Sequence, residues 1–231
     1  MRAPTLLRLS GIALMLALPL VIVGGLLHPR THERADIISS SQAPSHVIFA
    51  VAFALVLLGL PGLYGAHADR SGVVGLVGVV AMMLFSAYHV YLLLYEAGPV
   101  TAMSNDAAAE RLFAPGGIVE RGTLRTWFTP LGAVAPIIYG IALLRARVHP
   151  RWSGWLVIAF VPAFLGSAAL LESMLPSDAR ETLLNLRFTP ISIAVSYALL
   201  LSGLAIPGYR LWRTQRLVFD LPSGRLSTEA V

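Results

Sequence analysis

Six long apolar runs, at roughly 6–27, 46–65, 72–95, 128–146, 152–172 and 189–209, take up most of this 231-residue chain. A bilayer-spanning helix needs ~20 predominantly apolar residues, and each run approaches that length. Little is left for a soluble domain: the chain is 56% hydrophobic and 13% charged, about half the charge of an ordinary soluble protein. The expected fold is therefore all-α, a polytopic membrane bundle of six transmembrane helices over residues 1–213, with a polar, disordered tail at 214–231. The lipid bilayer is its first partner.

The opening "MRAPTLLRLS" is basic, like the start of a signal peptide, but the following run is too long and no A-x-A site precedes "GGLLHPR". The first run is read as a span. Six spans leave both termini on one side, which then holds ten arginines: Arg2, Arg8, Arg70, Arg145, Arg147, Arg151, Arg210, Arg213, Arg216 and Arg225. The other side holds seven, in longer loops that carry nine of the twelve acids. Positive residues favour the cytoplasmic side, so both termini are expected there, in the cell membrane of a bacterium.

Composition excludes several chemistries. With no cysteine there is no disulfide, thiolate metal site, iron–sulfur cluster or cysteine nucleophile. The net charge of +5 is carried by short loops rather than by one polar face, so no nucleic-acid partner is expected.

"TWFTP" at 126–130 and "LRFTP" at 186–190 repeat a Phe-Thr-Pro triplet with Arg125 and Arg187 just upstream. Thr129 and Thr189 read as N-caps, and Pro130 and Pro190 as first helical residues, where a missing N–H costs nothing. Ser45 in "QAPSH" reads the same way. Trp127 lies at headgroup level. Two helix N-termini beside two arginines suit an anion; the alternative is that Arg125 and Arg187 pair with Glu96 and Glu172, which close the third and fifth runs on the same side.

That outward end also collects His28, His46, Tyr88, His89, Tyr91, Tyr95 and Glu96. At 100° per residue the five on the third run fall within ~160°, a polar and aromatic face expected to point inward. His89 is the deepest, ~9 Å below the end of its span. It is either hydrogen-bonded to a neighbouring helix or a ligand; haem would need an opposing histidine at its depth, and zinc or copper on His28, His46 and His89 has no diagnostic spacing. No cofactor and no metal is expected. The inner half reads as apolar, with Gly72, Gly75 and Gly78 suited to close packing, and His67 and His149 are expected to be solvated at the cytoplasmic edge, as is His32 in its loop.

Between the third and fourth runs "SNDAAAERLF" reads as a short interfacial helix capped by Ser104 or Asn105, and between the fifth and sixth "DARETLLNL" reads as another after Ser177. "LHPR" at 27–30 and "VHPR" at 148–151 repeat on opposite faces, an isolated match with no second register. Together "GLLHP", "PSH", "GLYGAHADRSG" and "ALLRARVHPRWSGWLV" resemble a broad group of bacterial six-span integral membrane proteins. The resemblance implies the fold and carries no activity.

Three functions fit. The chain binds a small or lipid-like ligand, or a membrane partner, in an outward-facing cluster using Tyr88, His89, Tyr91, Tyr95, Arg125, Trp127 and Arg187. Alternatively, Glu96 or Glu172 is a catalytic general acid in an aromatic pocket acting on an isoprenoid, as in membrane terpene cyclases. The third is transport or b-haem redox chemistry, for which the inner half lacks a charge relay. Oligomeric state is left open.

Overall fold

A computed structural model of the protein describes residues 3–30, 34–104, 106, 123–170, 175–186 and 188–219. Among these there is no strand. The helices are α1 (Ala3–Leu27), α2 (Arg34–Ile37), α3 (Gln42–Gly65), α4 (Ala68–Tyr95), α5 (Thr101–Ser104), α6 (Thr123–Ala146), α7 (Arg151–Ala169), α8 (Ser177–Asn185) and α9 (Phe188–Phe219), with a π-helical turn Glu96–Val100 joining α4 to α5.

Four stretches are long and apolar enough to cross a membrane: Thr5–Leu27, Gln42–Gly65, Ala68–Ser104 and Phe188–Arg213. The apolar helix Pro130–Ala146 is shorter. Large apolar side chains such as Leu58, Val73 and Trp155 face outward, as a lipid solvent requires, while Phe49, Phe53, Phe85, Tyr139 and Phe160 fill the interior.

The helices pack in chain order: α1 against α3, α3 against α4, α4 against α6, α6 against α7, α7 against α9, and α9 back against α1. Lipid tails are as apolar as leucine, so close backbone approach must replace hydrophobic drive. A Cβ on Gly208 of α9 would lie 2.9 Å from the Gly11 carbonyl of α1, and one on Gly25 would meet the Ala194 backbone at 2.7 Å. Gly140 and Gly154 bring α6 and α7 together in the same reciprocal way: a Cβ on either would lie 2.8 or 2.7 Å from the other's carbonyl oxygen.

Three helix starts depart from the sequence reading. Helix α3 starts at Gln42, so Ser45 is internal and its hydroxyl donates to the Gln42 carbonyl at 2.9 Å instead of capping. Helix α6 starts at Thr123, which makes Pro130 an internal proline. In α9, which starts at Phe188, Pro190 lies in the first turn, where no N–H is needed, but the Thr189 hydroxyl is buried without a partner and caps nothing.

Helicity also runs past the expected stop at Tyr95 as far as Ser104. Pro99 has no N–H to donate and its ring crowds the carbonyl four residues back; the wider π turn relieves both. Near the other end of α4, Gly72 has φ +57° and ψ −146°, a kink in the helix at a conformation open to glycine. Helix α9 continues to Phe219, so the first residues assigned to a disordered tail are helical, and 220–231 lie outside the described residues. Helix α8 starts at Ser177, and the "NDAAAERLF" segment falls almost wholly outside.

Candidate functional site

Three elements bring together the group expected at the outward end. His28 leaves the end of α1 and donates from Nδ1 to the Pro29 carbonyl at 2.9 Å. His46, in the second turn of α3, has Nδ1 2.7 Å from the Gln42 carbonyl and 3.0 Å from the Ser45 hydroxyl. The two imidazoles lie 5.0 Å apart, centroid to centroid. Glu96 opens the π turn and sets Oε2 3.0 Å from His46 Nε2.

The backbone settles the tautomer of His46. A carbonyl only accepts, so Nδ1 carries a hydrogen and donates it to Gln42, and Nε2 is left to face the Glu96 carboxyl group. The contact has ion-pair distance without the alignment of a hydrogen bond. His46 is 1% exposed and Glu96 24%, so the pair runs from the protein interior to the surface. The π turn supplies this geometry, since widening the helix at Glu96 re-aims its side chain.

His89 is deep, as the sequence indicates, and fully engaged. Nδ1 donates to the Phe85 carbonyl at 2.8 Å, leaving Nε2 to accept from the Tyr197 hydroxyl at 2.9 Å. Phe53 stacks on it at 4.5 Å. A haem or metal would have to displace Tyr197, and among the described residues no group of three or more His, Cys, Asp or Glu could hold a metal. Tyr197 is itself ringed by Phe49, Phe53, Phe160 and Phe164, with centroids at 5.1–5.7 Å. Phe49 also contacts His28, so the aromatic core and the histidine pair are continuous, and Glu96 is within electrostatic reach of both His89 and Tyr197.

The inward face expected on α4 is narrower than its ~160° arc. His89 and Glu96, at one side of the arc, enter the cluster, and Tyr88 borders it with its ring 5.8 Å from His89. Tyr91, at the other side, is 51% exposed and stacks on Tyr95, so these two tyrosines line the outer surface instead. Glu172, Arg187 and the side chains of Arg125 and Trp127 lie outside the described residues. Sequence reasoning missed Tyr197; the signal was a lone tyrosine in the apolar run "ISIAVSYALLL".

The inner end corrects another expectation. His67 and His149 are 2% and 7% exposed, not solvated, and their rings meet edge to face at 5.7 Å. Burial lowers the pKa of His67, against a smaller upward pull from the Leu63 carbonyl. Burial, then His67, then Arg210 lower His149 to about 4. Both are neutral at physiological pH. The inner half is therefore not purely apolar.

No protein family, no curated protein and no solved structure matches this chain.

Proposed function

We propose that this is a multi-pass cell-membrane protein of six spans, with both termini cytoplasmic, that binds a small or lipid-like ligand at its outward end through Glu96, backed by His46 and His28. The four long apolar helices, the two shorter ones that pack between them in chain order, and the arginine bias support the topology. The resemblance to six-span bacterial membrane proteins agrees with it.

One observation carries the ligand reading: a histidine 1% exposed is joined to a carboxyl group 24% exposed at the end of an apolar bundle. Ionisable groups in such a place are costly and mark function more often than stability. Glu96 offers a head group a charge or a hydrogen bond.

The test is organic extraction and mass spectrometry of the chain purified in mild detergent, wild type against Glu96→Gln. A molecule held at stoichiometric level by the wild type and lost from a folded E96Q supports the proposal; equal retention by both refutes it.

A second reading has its own support. A carboxyl group 3.0 Å from a buried imidazole, beside a core of aromatic rings, is the equipment of a general acid acting on an apolar substrate. Under that reading E96Q retains the bound molecule and stops converting it.

A further inference from the structure

A groove of about 480 Å³ lies where α9 packs between α1 and α7, towards the inner end of the bundle and away from Glu96. Helix α9 contributes Ser202, Ala205 and Tyr209, α1 contributes Leu18, and α7 contributes Trp152 and Leu156. Its surface is almost wholly apolar in spite of Ser202 and Tyr209, and it is open rather than enclosed. Trp152 and Tyr209 are 53% and 45% exposed, so the opening faces the surroundings of the bundle, which for a membrane protein is lipid.

The inner end of the groove is marked by aromatic rings and then by arginines. Trp152 is the second residue of α7, and the Tyr209 ring lies 5.7 Å from Trp212. Tryptophan and tyrosine collect at head-group level. Arg151 directly precedes Trp152, and Arg213 follows Tyr209 by four residues, on the same side of α9; both are exposed. Arg210 donates to the Val148 carbonyl at 3.1 Å, which ties the end of α9 to the connection from which Arg151 opens α7. The three helices that line the groove contain no Asp or Glu at all. Like charges gathered without a counter-charge repel one another, and an anion from outside the chain relieves that repulsion.

We propose that this groove holds an acyl chain of one anionic phospholipid, whose head group is bound by Arg151 and Arg213 with Arg210 adding to the positive field. Basic pockets between spanning helices bind anionic head groups in this way. A zwitterionic phospholipid offers the same chain, but its head group brings a cation of its own to the arginines. A soluble anion satisfies the arginines and leaves the groove unused.

The experiment uses the full chain in mild detergent. Because the groove is open, its lipid exchanges with detergent; washed protein is therefore titrated with phosphatidylglycerol or with phosphatidylcholine, and bound lipid is counted by native mass spectrometry. One phosphatidylglycerol is expected to bind at least about tenfold more tightly than phosphatidylcholine. The preference should vanish in Arg151→Gln/Arg213→Gln. Ser202→Phe, which fills the groove and keeps the arginines, should weaken phosphatidylglycerol binding by a similar factor; should that variant fail to fold, Leu156→Trp fills the groove from the other side and decides. Arg30→Gln, at an exposed arginine of the opposite end, should change nothing, and inorganic phosphate should not compete. Equal binding of the two lipids, a preference indifferent to the two arginines, or binding that survives a filled groove overturns the proposal. Competition by phosphate overturns it as well, because the arginines then serve a soluble anion.

Discussion

The Tyr197 hydroxyl donates to His89 Nε2 across 2.9 Å, joining residues 108 apart in sequence at the centre of an aromatic core. It ties α4 to α9, which are not neighbours in the helix order. Tyr197→Phe leaves the rings packed but strands Nε2 in a buried place, at a cost of ~1–3 kcal/mol. Thermal unfolding in detergent should show that loss, and a double substitution with His89→Phe should recover part of it, since no orphaned nitrogen remains. Additive losses would mean the hydrogen bond does not form.

The His46–Glu96 contact makes a different prediction. Removing one partner from a buried ion pair is strongly destabilising, but Glu96 is partly exposed and screened, so Glu96→Gln should cost only ~1–2 kcal/mol. His46→Gln in the Glu96→Gln background should add less than it does alone, and a double-mutant cycle measures that coupling.

Glycine contacts between α1 and α9 should tolerate least. In Gly208→Val the new Cβ meets the Gly11 carbonyl and the Leu14 Cβ, each at 2.9 Å, and separating two helices packed along their length costs at least ~1–3 kcal/mol. Gly72→Ala has open space around it, so its cost of about 1–3 kcal/mol comes from φ alone. Equal, negligible effects in melting experiments would contradict both.

His149 gives the protein a pH dependence. Its pKa is about 4 in the folded chain against 6.5 in the unfolded one. Between those values the unfolded state binds a proton that the folded state refuses, so stability falls as pH drops from 6.5 towards 4 and this contribution levels off below. His149→Gln should flatten that part of a melting-temperature profile; an unchanged profile would show that His149 is not buried.

Because the chain lacks cysteine, topology can be read by adding one at a time. A cysteine at Gly98 should react with an impermeant thiol reagent in intact cells, and one at Ser227 only after lysis. Labelling of both from outside would rule out the proposed orientation.

Much of the architecture was legible because lipid demands long apolar helices, and length and apolarity are visible residue by residue. What escaped were features set by backbone geometry. The third run was bounded at Tyr95, and a π turn that carries helicity on through Pro99 leaves no mark in composition. His67 and His149 read as solvated because they sit at the connections between spans, and their burial depends on how the helices pack around those connections. At the outward end His28, His46, His89 and Glu96 were each recognisable as polar residues in an apolar setting. Their partners were not: His46 and Glu96 are fifty residues apart, and Tyr197 is one tyrosine among leucines.

The most direct measurement is an intact-mass spectrum of the detergent-released chain. One adduct of constant mass per wild-type chain, absent from folded Glu96→Gln and from folded His46→Gln, is the result expected if the outward pair holds a ligand. A bare chain, or an adduct that survives both substitutions, would contradict it.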